Sequence, residues 1–144
     1  MPPTKSKSHV IHSPKVHSIQ TIVSRYQKFL NQFGQNETGD LLTLMESLFT
    51  PDIKKFVKSG LVAETREGLH AHILEAKKDT GTWTVREKGS RIIDHENKRV
   101  MACFEMPTEK KGTIVVMKQF KCDDYGLIKE IEEKFTTIEK ENRD

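Results

Sequence analysis

The sequence predicts an α+β fold: three N-terminal helices packed on one face of a strongly curved antiparallel β-sheet, the two layers enclosing a cone. Three observations predict it. Apolar residues recur at three- and four-residue spacing in separate stretches before residue 80. Beyond that point, branched and aromatic residues gather in long runs. Those runs are divided by turn-forming clusters, two of which close on glycine. The 144 residues fit one domain over 13–138, between a basic N-terminal tail, 1–12, and a charged C-terminal tail, 139–144.

The tail carries Lys5, Lys7, His9 and His12 without periodicity and reads as mobile and solvated. Ser13-Pro14 reads as a helix start, serine as cap and proline at the first helical position. Ile19, Ile22, Val23, Tyr26, Phe29, Leu30 and Phe33 then form one wide apolar face, and Gly34 ends the helix. After a polar loop over 35–39, Asp40 caps a shorter helix bearing Leu41, Leu44, Met45, Leu48 and Phe49, which Thr50-Pro51 stops. Residues 53–64 read as a short hairpin around Ser59-Gly60. Thr65 caps a third helix with Leu69, Ile73, Leu74 and Ala76 on its apolar side, ending at 77–81.

Strands are expected over 83–94, 99–106, 113–122 and 127–138. The clusters closing on Gly112 and Gly126 fit three-residue hairpin loops with a glycine bulge. Counted from the first loop, Phe104 faces Lys118, Ala102 faces Phe120 and Met106 faces Val116. One sheet face then collects Val100, Ala102, Phe104, Met106, Val116, Phe120 and Cys122, with Lys118 in their midst. Cys103 falls on the opposite face from Cys122.

Composition narrows the function classes. Lys and Arg number 24 against 21 Asp and Glu, a net charge of +3 and too mild to imply nucleic acid. No apolar run approaches the roughly 20 residues of a membrane span, and the N-terminus lacks a signal-peptide core. Two cysteines are no disulfide framework, so a cytoplasmic setting is expected. No phosphate loop, paired-cysteine zinc spacing or serine-hydrolase elbow is present, and no metal or cofactor is expected. Lys54, Lys55 and Lys58 read as a solvated basic patch, and His70 as a solvated helix residue.

Four segments carry a family resemblance: Ile22-Val23-Ser24-Arg25-Tyr26, Leu48-Phe49-Thr50-Pro51-Asp52, Thr65-Arg66-Glu67-Gly68-Leu69, and Phe120 with Gly126-Leu127-Ile128. On these the chain, over 13–138, resembles the nuclear-transport-factor-2-like superfamily, which includes SnoaL-like polyketide cyclases and ketosteroid isomerases. The resemblance implies a pocket between the first helix, the third helix and the concave sheet face. Within it, Tyr26 matches the tyrosine that hydrogen-bonds a substrate oxygen, with a core tyrosine bonded to the backbone as the alternative. Lys118 stands where the isomerases place a protonated sheet acid. Given a bulge after Ile128, Ile131, Glu133 and Phe135 turn to the pocket. Glu133 is then the natural partner of Lys118, with Glu130 or Glu132 taking that place without the bulge. The lysine holds an anion or acts as a base, or it forms a structural pair or reaches past the core to solvent. His72 occupies a pocket-lining position on the third helix and can carry a proton. Trp83, Phe104, Phe120, Ile131 and Phe135 complete the expected ligand-contacting set.

Two departures stand out. The general-base aspartate of the isomerases corresponds to Lys55-Phe56-Val57, which holds no carboxylate, and lysine replaces the sheet acid. Isomerisation by that mechanism is therefore unsupported. The expected function is binding of a small organic molecule in a mainly apolar pocket, with acid–base chemistry by Tyr26, His72, Lys118 and Glu133. The alternative is a homodimeric scaffold pairing through the outer sheet face at Met101, Cys103, Val115 and Met117.

Overall fold

The computed structural model describes residues 17–35 and 41–139. A single 3₁₀ turn, Ile19–Thr21, leads into α1, Ile22–Gly34, and Ser18 caps the turn through its side chain. The expected start at Ser13-Pro14 lies outside the described residues, yet residues 17 and 18 are not helical, so the helix begins later than predicted. Helix α2 is Leu41–Leu48, and its expected cap Asp40 also falls outside the described residues. Phe49 was expected in this helix but opens strand β1, Phe49–Val57; Pro51 within that strand is exposed. β2, Gly60–Glu64, closes the expected hairpin, and α3 follows as Thr65–Thr80. The Thr65 hydroxyl accepts from the Gly68 amide at 3.1 Å, the predicted cap. Leu74, assigned to the apolar side of α3, is 43% exposed.

The expected strand over 83–94 is broken. Trp83 makes an isolated bridge to Thr108, followed by β3, Arg86–Glu87, and β4, Ile92–Asp94. Gly89, at φ 78°, interrupts the run. Asn31 of α1 takes over part of the pairing: its side-chain amide donates to the Val85 carbonyl at 3.0 Å and accepts from the Val85 amide at 2.6 Å. Long strands β5, Arg99–Thr108, β6, Gly112–Cys122, and β7, Ile128–Glu139, form the meander. Glu139 thus belongs to the last strand; 140–144 lie outside the described residues.

The sheet runs β2-β1-β7-β6-β5-β3, with β4 also on β5. It is antiparallel except between β1 and β7, which pair in parallel and make the sheet mixed. The β5–β6 register differs from expectation by two residues: Ala102 faces Lys118, Phe104 faces Val116 and Met106 faces Ile114. Thr108 pairs with Gly112, so the loop is Glu109 to Lys111 and the left-handed glycine, φ 77°, sits in the first pair rather than in the loop. Because side chains alternate with period two, a two-residue slip changes neighbours and preserves faces. Val100, Ala102, Phe104, Val116, Lys118, Phe120 and Cys122 are all buried, while Cys103 lies on the other face. The final loop has the expected form, with Gly126 at φ 77° and the Asp123 carboxylate accepting from the Tyr125 and Leu127 amides.

Two bulges in β7 bend the sheet. Cys122 pairs with Ile128 but Lys121 with Glu130, leaving Lys129 extra; Lys118 pairs with Glu133 but Met117 with Phe135, leaving Lys134 extra. The first turns Ile131 and Glu133 inward, as expected. The second turns Phe135 outward beside Met117, 45% exposed, which corrects its assignment to the pocket.

Helix α1 is pinned at both ends. Arg25 donates to the Gly126 carbonyl at 3.0 Å and to the Ser47 carbonyl, and Trp83 Nε1 donates to the Leu30 carbonyl at 2.9 Å. A Cβ on Gly34 would stand 2.3 Å from the Trp83 ring and 2.6 Å from its carbonyl oxygen. We therefore expect Gly34→Ala to lower unfolding free energy by roughly 2 kcal/mol, read as a reduced urea midpoint at unchanged slope. An unchanged midpoint would show that the Trp83 contact yields freely.

Candidate functional site

A cavity of about 280 Å³ lies between α1, α3 and the concave sheet face. Leu30, Val57, Ile73, Ala76, Val85, Phe104, Met106, Ile114 and Val116 give it apolar walls, and Trp83 and Thr80 border it. Its polar groups are few: Tyr26, Lys55, His72, Lys118, Glu133 and Thr136. The lining is thus mainly apolar, with a handful of polar side chains.

Each polar side chain is delivered by a different element. Tyr26 comes from the middle of α1, 2% exposed, its ring 4.8 Å from that of Phe120 and 5.8 Å from that of Phe104. Lys118 comes from the centre of β6, 5% exposed; its Nζ stands 2.5 Å from the Tyr26 hydroxyl and 4.8 Å from the centre of that ring. Glu133 arrives from β7 because of the first bulge. Its Oε2 lies 3.0 Å from Lys55 Nζ and 3.8 Å from Lys118 Nζ. His72 projects from α3.

Lys55 is the residue that sequence reasoning missed. The expected solvated patch does not hold there: Lys55 is 7% exposed and pairs with Glu133. The signal was present in the alternation Ile53, Lys55, Val57, which places the lysine on the inward face of β1. His70 is likewise not simply solvated: its ring lies tilted against that of Phe33, 5.2 Å between centres.

Of the expected ligand-contacting residues, Trp83 and Phe104 line the cavity. Phe120 and Ile131 are wholly buried behind it, supporting the Tyr26 ring and the sheet rather than bordering the space. Phe135 faces outward. Glu133 contacts both lysines, the shorter contact being with Lys55, so any role in orienting Lys118 is shared.

The electrostatics follow from two lysines meeting one carboxylate in a water-poor space. Burial pushes the Tyr26 phenol well above its ordinary value, so the hydroxyl keeps its proton at neutral pH. Burial pulls Lys118 below the ordinary lysine range, with Glu133 opposing. For His72, burial and the Lys55 ammonium lower the imidazole, with Glu133 opposing, which leaves the ring neutral at pH 7. Burial works against ionisation of Glu133, but the neighbouring Lys118 and Lys55 ammoniums outweigh it and bring the carboxyl down to about 2. Glu133 thus favours a charged Lys118 and burial a neutral one. Lys55 makes the shorter contact, 3.0 Å against 3.8 Å, while Lys118 is the larger electrostatic influence on the carboxyl. Among the described residues, no three His, Cys, Asp or Glu side chains gather to hold a metal ion.

No protein-family model matches the chain, and no curated protein matches it. Solved structures match closely in shape. A SnoaL-like family protein from Agrobacterium tumefaciens superposes with a TM-score of 0.65 at 11% identity, over 79% of this chain and 93% of that one. A SnoaL-like protein from Jannaschia gives 0.65 at 14% identity, over 86% and 91%. The epoxide hydrolase/cyclase-like enzyme SalBIII, which acts in pyran ring formation in the polyether salinomycin, gives 0.64 at 16% identity, over 83% and 90%. The chain therefore has the α+β fold of the SnoaL-like and nuclear-transport-factor-2-like proteins.

Glu133 has a pH signature. Its folded value of about 2 lies below the ordinary 4.5, so its ionisation stabilises the fold above that ordinary value, and the contribution disappears as pH falls through about 2. We expect Glu133→Gln to cost on the order of 3 kcal/mol at pH 7, by stranding the Lys55 ammonium. The gap from wild type should narrow between pH 4.5 and 2 in urea titrations. A gap independent of pH would show that the carboxylate is not held ionised by its neighbours.

Proposed function

We propose that the protein binds a small organic molecule in this cavity and acts on it by polar or acid–base chemistry. The observation that carries the reading is the arrangement of one hollow, apolar on most sides, with Tyr26, Lys118 and Glu133 converging at one end and His72 beside them. A ligand oxygen entering that end meets a protonated phenol and an ammonium or amine, donors suited to a developing oxyanion. His72, neutral at pH 7, accepts or relays a proton. Lys55 and Glu133 close the far side as an ion pair that keeps this end polar. The enzymatic character of neighbours such as SalBIII agrees with the reading, while the absence of an aspartate base separates it from ketosteroid isomerisation.

Filling the hollow tests this directly. A thermal-shift screen of small cyclic ketones, lactones and phenols is expected to find compounds that raise the Tm of wild type but not of Ala76→Trp, whose indole occupies the cavity. A folded wild type that no compound stabilises, or equal shifts in both proteins, would remove the cavity from consideration.

A second reading concerns the outer sheet face. There Ile92, 66% exposed, pairs with Met101, and Phe135, 45% exposed, pairs with Met117, beside Cys103. We propose that two copies pair through this face, which would withdraw the two large side chains from water. Sedimentation is expected to show a dimer for wild type and a monomer for Phe135→Lys. A monomeric wild type at tens of micromolar would rule the pairing out.

A further inference from the structure

We propose that Lys118 is an amine nucleophile that forms an imine with an aldehyde or ketone ligand in the cavity. The inference deepens the small-molecule reading above and rests on it. It begins with charge bookkeeping. The groups facing Lys118 are Tyr26 from α1, Lys55 from β1, His72 from α3 and Glu133 from β7. Tyr26 and His72 are uncharged at pH 7 for the reasons already given. Two ammoniums against one carboxylate would leave an uncompensated positive charge in an apolar chamber, and losing one proton removes it.

Geometry decides which lysine loses it. Lys55 stands 3.0 Å from Glu133, whereas Lys118 stands 3.8 Å away and directs its short contact, 2.5 Å, to a neutral phenol. Lys118 is also the more enclosed of the two, and burial draws it below the ordinary lysine range. A lysine desolvated beside a second cation is the recognised way of making an amine reactive at neutral pH. Lys118 lines the cavity, so its nitrogen meets a ligand there once the Tyr26 hydroxyl turns from the amine to the ligand's carbonyl oxygen.

The step needs no oxidant, reductant or further reactant. The lone pair attacks the carbonyl carbon, and the C=O π electrons move to oxygen. A proton passes from nitrogen to that oxygen, with the Tyr26 hydroxyl and His72 available as relays, to give the carbinolamine. The C–O bond then breaks, the departing hydroxide takes the remaining nitrogen proton, and the products are the imine and one water. Lys55 and Glu133 stay a closed pair throughout and act as positioning residues.

The test uses the whole protein at pH 7 with benzaldehyde and cyanoborohydride, which reduces imines to stable benzylamines, read by peptide mass spectrometry. Benzyl alcohol, which fills the same space without a carbonyl, reports cavity binding by thermal shift. The expected result is benzylation of Lys118 at least about tenfold faster than of exposed Lys58 and Lys129. Lys55→Met frees Glu133 to pair with Lys118 and should slow that benzylation about tenfold, with recovery at higher pH. Labelling of Lys118 no faster than the surface lysines, or unaffected by Lys55→Met, overturns the proposal. If benzyl alcohol still stabilises the protein in that event, the cavity reading survives and only the nucleophile falls. If benzyl alcohol gives no shift and Lys118 is not labelled, both fall.

Discussion

One carboxylate serves two lysines at the narrow end of this molecule, and much of the fold can be understood as what it takes to bring them there. Glu133 reaches the interior only because β7 carries an extra residue at Lys129. Lys118 reaches it from mid-strand in β6 and Lys55 from β1, which joins the sheet on the far side of β7. Isolated in such surroundings, any one of the three charges would be costly. Together they offset one another, the carboxylate lying 3.0 Å from one ammonium nitrogen and 3.8 Å from the other.

The apolar shell matters as much as the charges. Tyr26 is clasped by Phe49, Phe104 and Phe120, with edge-to-face or tilted rings, so its hydroxyl is held at a fixed point while the rest of the ring is spent on packing. The ring also carries the Lys118 contact, with Nζ 4.8 Å from its centre. Trp83 seals the chamber from the loop after α3, and Gly34 has no side chain because that indole fills the place of one.

Most of the architecture was legible in the sequence because it rests on strong periodic signals. The face of α1 from Ile22 to Phe33 and the alternation in β5 and β6 were both read correctly, and the glycine turns placed the hairpins to within two residues. What escaped had identifiable causes. The β5–β6 slip came from placing Gly112 inside its loop, an error that even periodicity conceals. The parallel partnership of β1 and β7 joins segments some 75 residues apart, and no local pattern encodes it. The second bulge in β7, at Lys134, reverses the side on which Phe135 lies, and an extra residue of that kind leaves no mark in composition. Lys55 was misjudged because its neighbours Lys54 and Lys58 made it look like one member of a surface cluster. Its two-residue spacing from Ile53 and Val57 was the better guide.

The β1–β7 partnership has a kinetic corollary. The strand bearing Lys55 is synthesised long before the one bearing Glu133, and their pairing encloses the intervening helix and meander in one long loop. Closing so wide a chain separation is entropically late work. The Lys55–Glu133 contact therefore depends on a long-range closure and not on local structure: it exists only where β1 and β7 have met.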